Sequence, residues 1–106
     1  MILIIGGAGS GKGAYARALG YTDADIAYNV HETVFEQPEA AFELLEALLT
    51  KPVVTCDEVG SGVIPLDKHD RLGREATGRL CVLLAQHAER VIRMVAGIPV
   101  VIKDKA

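Results

Sequence analysis

The sequence predicts an α/β domain of three layers, with a mainly parallel sheet and an antiparallel pair of strands at its C-terminal end. Apolar runs rich in β-branched residues alternate with helical patterns along the chain, which is typical of parallel strands buried on both faces. The last two apolar runs are too close in sequence for a helical crossover, so they favour a hairpin. The 106 residues are enough for a single domain, residues 1–106, with one core.

The first half of the chain predicts two strands and two helices. Met1–Ile5 is wholly apolar and indicates a central parallel strand. The Ala-rich segment Lys12–Leu19 indicates a helix that ends at Gly20. Asp25–Val30 is a weaker strand candidate. Pro38–Leu49 has proline in its first turn and apolar residues along one face, so it predicts the second helix.

The second half predicts a buried strand, a long helix and the terminal hairpin. Val53–Cys56 is apolar and follows a proline that ends the preceding helix, and Asp57–Gly62 reads as a loop. Leucines at helical spacing place a long helix within Asp67–Glu89. Val91–Val95 and Val100–Ile102 are the final strands, joined by the four residues between them.

A phosphate-binding pattern follows the first strand. Gly6, four further residues and then Gly11-Lys12 have the spacing of a P-loop, in which glycines let backbone N–H groups turn inward around a phosphate. The helix that begins there adds its positive end. Lys12 is expected to reach the β- and γ-phosphates of GTP or ATP and to take part in catalysis. This makes the predicted fold P-loop NTPase-like, with a nucleotide-binding loop of Gly6, Gly7, Ala8, Gly9, Ser10, Gly11, Lys12 and Gly13.

Magnesium is expected at the neighbouring strand end, in a weakened site. Gly13 stands where a P-loop has Ser or Thr, whose hydroxyl binds Mg²⁺. Asp57 and Glu58 follow the strand Val53–Cys56, and ligands of open α/β sheets bind outside the carboxyl ends of the strands. Asp57 and Glu58 are therefore the candidate Mg²⁺ ligands. The alternative is a solvated acidic turn.

Composition and charge narrow the classes of function. A net charge of −3 provides no basic field that would attract nucleic acid. No apolar run approaches the roughly 20 residues of a membrane span, so a cytoplasmic protein is expected. The hydrophobic fraction of 50% fits a sheet buried on both faces or an apolar surface covered by another chain. Cys56 and Cys81 match no metal-binding spacing and are expected to be reduced thiols.

Several segments together resemble one family. The run from Glu58 to Pro65 is similar to the E-V-G-x-G-[IV]-[IV]-P segment of adenosylcobinamide kinase/adenosylcobinamide-phosphate guanylyltransferase, an enzyme of cobalamin biosynthesis. Its G-G-A-R-S-G-K-S loop resembles Gly6–Gly13, and its R-x-x-R-[DE]-x-x-G helix matches Arg71, Arg74, Glu75 and Gly78. Residues 95–103 resemble its closing V-x-G-I-x-V-x-K. The resemblance implies a homo-oligomeric transferase that uses GTP or ATP, with adenosylcobinamide as acceptor and Glu58 at a catalytic position.

The chain departs from this family's pattern at several points. Gly13 replaces the P-loop Ser, and Cys81-Val82 replaces the Asn-Gln of the long helix. The family's guanylated histidine lies in a segment that is compressed here to residues 21–50, where His31 is the only histidine. The setting of His31 does not match that histidine, and a lone histidine at a strand end is typical of a polar surface residue. The guanylyltransferase step is therefore expected to be missing.

Three functions stay open at the level of the sequence. The first is a shortened kinase of the cobinamide type, which would transfer the γ-phosphate of GTP or ATP to an alcohol. The second is a catalytically impaired nucleotide-binding or regulatory protein of the same fold, which Gly13, Cys81 and Val82 favour. The third is a dinucleotide-binding module, since Gly9-x-Gly11-x-x-Ala14 fits a Rossmann fingerprint with Glu32 as the ribose acid. Lys12 within the turn argues against the third.

Overall fold

The computed structural model describes residues 1–58 and 67–105 of the chain. The strands within them are β1 (Ile2–Gly6), β2 (Ile26–Ala27), β3 (Val53–Asp57), β4 (Arg90–Val95) and β5 (Ile98–Asp104). The helices are α1 (Lys12–Ala18), α2 (Val30–Glu36), α3 (Ala41–Leu49) and α4 (Lys68–His87), with 3₁₀ turns at Asp23–Asp25 and Pro38–Ala40. The predicted loop beyond Glu58, and with it most of the family-like segment, lies outside the described residues.

The five strands of the described residues form one mixed sheet in the order β2-β3-β1-β4-β5. Strand β1 pairs in parallel with both β3 and β4, and β2 pairs in parallel with β3. Strands β4 and β5 pair antiparallel. The predicted fold class, a mainly parallel α/β sheet with an antiparallel C-terminal pair, is confirmed. The two apolar runs expected at its centre, β1 and β3, are direct neighbours.

Helices cover both faces of the sheet, which explains why the central strands are apolar throughout. Leu3 packs with Val54 and Val91 in a core cluster to which α2, α3 and α4 contribute. Ile4 packs with Ile92 in a second cluster, into which α1 places Ala16. Neighbouring residues of a strand point to opposite faces, so β1 supplies both cores. The result is three layers around a buried sheet.

The hairpin between β4 and β5 turns more tightly than the sequence predicts. Ala96 (φ 49°) and Gly97 (φ 79°) alone form the connection, and both have positive φ as a type I′ turn requires. Ile98 and Pro99 belong to β5, where Pro99 is tolerated because β5 is an edge strand. The Gly97 N–H donates to the Ser10 carbonyl at 3.0 Å. The turn is therefore fixed against the loop that follows β1.

The region between α1 and α3 differs most from the prediction. The expected strand over Asp25–Val30 is reduced to the two residues of β2, and the chain then enters a helix, α2, that the sequence patterns did not indicate. Asn29 makes the transition with φ 51°, a left-handed conformation that asparagine tolerates. The predicted helix from Pro38 begins with a 3₁₀ turn and becomes α-helical at Ala41. No helix among residues 1–58 and 67–105 combines the length and apolar composition needed to cross a bilayer.

Candidate functional site

The loop from Gly6 to Gly13 joins the carboxyl end of β1 to α1. Gly9 (φ 72°) and Gly11 (φ 91°) adopt left-handed conformations that glycine supplies without strain. A Cβ on Gly6 would lie 2.7 Å from the carbonyl oxygen of Met94 on β4, so only glycine fits there. The Ser10 N–H closes the turn on the Gly7 carbonyl at 3.2 Å. These glycines allow the sharp reversal that the P-loop pattern predicts.

Lys12 lies buried at the base of this loop with 6% of its side chain exposed. Its ammonium donates to the Gly7 carbonyl at 2.9 Å and pairs with Asp57 Oδ1 at 2.6 Å. The Ser10 hydroxyl is also buried, and it has no hydrogen-bond partner among the described residues. A buried hydroxyl without a partner, in the same loop as a buried ammonium, can donate to an anionic oxygen. The loop therefore combines a cation and a free hydroxyl at the point where the sequence predicts phosphate binding.

Asp57 reaches the loop because β3 runs parallel to β1 and directly beside it. Gly6 and Asp57 are paired residues in the register of these two strands. The carboxylate is 20% exposed and contacts Lys12 on one side and His31 on the other, with His31 Nε2 3.3 Å from Asp57 Oδ2. The sequence prediction that the two strand ends lie at one edge of the sheet therefore matches the geometry.

His31 uses both ring nitrogens on Asp57. Its Nδ1 accepts the Asp57 backbone N–H at 3.1 Å, while its Nε2 faces the carboxylate of the same residue. Because Nδ1 offers its lone pair to this N–H, the ring proton lies on Nε2, the nitrogen in contact with the carboxylate. The side chain is 15% exposed. His31 is thus a half-buried partner of Asp57, and the expectation of a polar surface residue was wrong.

Glu58 follows Asp57 and lies at the same strand edge, but its carboxylate is directed to Arg93 on β4. The Arg93 Nε and Nη2 donate to Glu58 Oε1 and Oε2 at 2.6 and 3.1 Å, a bidentate pair. This hydrogen-bonded contact raises the pKa of Arg93 above its ordinary value. The Glu58 N–H donates to the Gly6 carbonyl at 2.8 Å, which fixes the backbone of Glu58 beside the loop.

A ring and a guanidinium fill the space beside Gly13. A Cβ on Gly13 would lie 3.0 Å from Tyr28 Cε1 and 3.4 Å from Arg17 Nη1. Arg17 Nη1 donates to the Tyr28 hydroxyl at 3.0 Å, and that hydroxyl donates to Asp23 Oδ1 at 2.6 Å. Tyr28 follows β2 directly, so this cluster lies at the β2 edge of the sheet, the edge opposite β5.

A comparison with protein families identifies the family to which the chain belongs. The sequence model of the family described as cobinamide kinase/cobinamide phosphate guanyltransferase matches residues 21–102, most of the 106-residue chain. The chain belongs to this family. The match begins at residue 21, after the glycine loop. No curated protein matches the sequence. Family membership supports a role of the kinase and guanyltransferase type in cobalamin biosynthesis, with nucleotide and cobinamide substrates.

The two cysteines lie together behind the candidate site of this family member. Cys56 precedes Asp57 in β3, and Cys81 lies on α4 with its Sγ 3.4 Å from Cys56 Sγ. The hydrogen bond between the thiols lowers the pKa of Cys81, although partial burial opposes the shift. The same hydrogen bond, together with burial, raises the pKa of Cys56. Both cysteines are free, as the sequence analysis expects.

The structure thus brings together at one sheet edge the loop Gly6–Gly13, Asp57 and Glu58. Three further contacts were not predicted from the sequence: His31 with Asp57, Arg93 with Glu58, and Arg17 with Tyr28. These contacts join residues 11 to 35 positions apart, so no local spacing reveals them. Glu32, the ribose acid of the dinucleotide alternative, is exposed in the first turn of α2 and not at a strand end.

Proposed function

We propose that this member of the cobinamide kinase/cobinamide phosphate guanyltransferase family acts as a kinase without the guanylyltransferase step. Its reaction would transfer the γ-phosphoryl group of GTP or ATP to the alcohol of adenosylcobinamide. The observation that carries this proposal is Lys12, whose buried ammonium lies inside a glycine loop beside a strand-end carboxylate. Phosphoryl transfer depends mainly on positioning and charge stabilisation, which such a loop supplies.

In this proposal Lys12 exchanges one anionic partner for another. Its ammonium contacts Asp57, and a γ-phosphate in the loop would take over part of that contact. The Ser10 hydroxyl would donate to a phosphate oxygen, which would give this buried group a partner. The alcohol oxygen then forms the new bond to phosphorus while the bond to the β–γ bridging oxygen breaks. The nucleoside diphosphate leaves, and the proton of the alcohol passes to water or to a carboxylate at the strand edge.

Glu58 is the carboxylate that we assign to the acceptor alcohol. It is 28% exposed at the rim of the loop and is oriented by Arg93 through two hydrogen bonds. A carboxylate held in this way can accept a hydrogen bond from a substrate hydroxyl and orient the oxygen for attack. Its place in the sequence motif of the family supports the same role.

The contacts of His31 support the loss of guanylyl transfer. A histidine that accepts a nucleotidyl group must offer an unprotonated ring nitrogen to the α-phosphorus. The lone pair of Nδ1 is occupied by the Asp57 N–H, which leaves the ring proton on Nε2, 3.3 Å from Asp57 Oδ2. We therefore expect no stable labelling of the protein by α-labelled GTP.

The test is phosphorylation of adenosylcobinamide by γ-labelled GTP or ATP. We expect turnover in the parent protein and its loss in both Lys12→Ala and Glu58→Gln. Lys51→Ala is the matched control, because Lys51 is exposed and its ammonium donates to the Ala24 carbonyl, away from the loop. No turnover in the parent, or turnover that survives Lys12→Ala, would refute the kinase.

The residues packed beside Gly13 favour one alternative function, a nucleotide-binding or regulatory protein that has lost catalysis. Tyr28 and Arg17 fill the space of the missing P-loop side chain. In this case GTP or ATP would bind in a Lys12-dependent manner without any phosphorylated product. NAD in the same binding assay covers the dinucleotide module, for which we expect no binding.

A further inference from the structure

The residues of the loop do not fit the Mg²⁺ ion that accompanies nucleotides in P-loop proteins. Gly13 supplies no hydroxyl oxygen. Asp57 contacts two groups that carry N–H donors, Lys12 and His31, and Glu58 is paired with Arg93. Magnesium prefers several oxygen ligands in octahedral geometry, and each carboxylate here already faces a cationic or donating group. Among residues 1–58 and 67–105, the carboxylates of Asp57 and Glu58 both have cationic or N–H partners, which does not support the expected Mg²⁺ site.

A guanidinium and an aromatic ring lie beside the position that a side chain at residue 13 would occupy. The position of a Cβ on Gly13 is 3.4 Å from Arg17 Nη1 and 3.0 Å from the Tyr28 ring. A serine at this point would place its Cβ in a tight contact with the Tyr28 ring. A divalent cation beside the guanidinium would also meet a like charge at short range. Both the shape and the charge of this corner select against a metal ion.

Arg17 is held in place by its own set of contacts. Its guanidinium donates to the Tyr28 hydroxyl at 3.0 Å and lies 5.9 Å from the centre of the Tyr28 ring. The Tyr28 ring packs against the core cluster that contains Ile4, and its hydroxyl donates to Asp23 at 2.6 Å. The contact with Tyr28 uses one N–H of a group that has five. The planar guanidinium keeps further donors for a phosphate, which it can bind in a bidentate manner.

We infer that Arg17, positioned by Tyr28, takes the place of Mg²⁺ and that the loop binds the phosphate groups of a metal-free nucleotide between Lys12 and Arg17. The inference rests on the proposed binding of GTP or ATP in this loop. Two fixed cations then neutralise the phosphates, one at the base of the loop and one beside Gly13. A bound nucleotide needs no Mg²⁺ for affinity, and the metal competes with Arg17 for the same oxygens.

The first experiment needs no variant. Isothermal titration calorimetry with GTP, and separately with ATP, compares the dissociation constant in excess Mg²⁺ with that in EDTA at matched ionic strength. We expect equal or tighter binding in EDTA, because the metal-free nucleotide carries more negative charge toward Lys12 and Arg17. Binding that weakens tenfold or more in EDTA would overturn the inference but leave nucleotide binding in place. No binding in either buffer would overturn both this inference and the proposed function.

The second experiment identifies the residue. Arg17→Met keeps a long side chain without charge, and we expect it to weaken binding in EDTA by about tenfold, the usual scale for a charge-assisted contact. Arg17→Lys should lose less, because it keeps the charge but not the planar fork. Arg79→Met is the matched control: Arg79 is an exposed arginine on α4 that pairs with Glu75. Equal losses in Arg17→Met and Arg79→Met, or none in either, would contradict the role of Arg17.

A third variant restores the metal site. Gly13→Ser alone forces a side chain against Tyr28, whereas Gly13→Ser combined with Tyr28→Ala removes the ring and adds the hydroxyl. We expect the double variant to bind GTP more tightly in Mg²⁺ than in EDTA, the reverse of the parent protein. Circular dichroism confirms that it is folded before the titration. An unchanged metal dependence in the folded double variant would show that Tyr28 does not exclude the ion.

Discussion

The pair formed by Lys12 and Asp57 gives the most detailed prediction for the stability of the protein. Lys12→Met removes the ammonium but keeps the length of the side chain. Asp57 then loses a contact of 2.6 Å and keeps His31 at 3.3 Å. Removing one partner of a buried pair costs about 3–5 kcal/mol when the other charge stays buried and unpaired. Asp57 is 20% exposed and keeps one partner, so we expect a loss of about 2 kcal/mol.

This loss corresponds to a measurable change in thermal stability. For 106 residues the unfolding entropy near the midpoint is about 220 cal/mol/K, so 2 kcal/mol lowers the melting temperature by about 9 °C. The assay is urea and thermal unfolding, monitored by circular dichroism without nucleotide. Lys51→Met is the control and should change the stability by less than about 0.5 kcal/mol, because its ammonium is exposed.

A double-mutant cycle with Asp57→Asn measures the interaction energy between Lys12 and Asp57 apart from their contacts with other residues. The two single substitutions should be strongly non-additive, with a coupling of about 1–2 kcal/mol, because the second change removes a partner that is already lost. Additive effects would show that Lys12 and Asp57 do not interact in solution. Equal stabilities of Lys12→Met and Lys51→Met would refute the view that Lys12 is held by Asp57.

Three further predictions concern other parts of the chain. Cys81 should be alkylated by iodoacetamide at lower pH than an ordinary thiol, because the hydrogen bond with Cys56 lowers its pKa. Cys56→Ala should move the midpoint of the alkylation rate against pH to higher pH, and an unchanged midpoint would refute the contact. Gly6→Ala should destabilise the protein strongly, since the new methyl group meets a backbone oxygen of β4, whereas Gly7→Ala has open space and should not; similar melting temperatures would contradict this packing. If the exposed apolar strand β5 mediates a homo-oligomer, Ile102→Lys should shift sedimentation toward the monomer, and an unchanged oligomer would place the interface elsewhere.

Those elements with strong local patterns were predictable from the sequence. The apolar runs at β1 and β3, the glycine loop between β1 and α1, and the close spacing of β4 and β5 each follow from a single stretch of chain. The helix α2 was missed because its seven residues bury only Val30 and Val34 and include β-branched residues that favour strands. Val30 and Val34 are four residues apart, but a single apolar pair is too short a pattern to predict a helix.

The candidate site was predictable only where its residues follow a strand end. Asp57 and Gly6 could be placed together because parallel strands share a carboxyl edge. The contact of His31 with Asp57 depends on the unpredicted α2, and the contact of Arg93 with Glu58 depends on β4 lying beside β1. The ring of Tyr28 beside Gly13 depends on how the chain leaves β2, which no sequence spacing encodes.

The most direct test of the account is the amide spectrum of the protein during titration with GTP. Nitrogen-15 heteronuclear correlation spectra would follow each backbone N–H of the loop from Gly7 to Gly13. We predict that these amides shift in a saturable manner, that the resonance of Asp57 shifts with them as Lys12 turns toward the phosphate, and that Lys12→Met abolishes the changes. Saturable shifts confined to residues outside the loop, or no shifts at all, would contradict nucleotide binding at this site.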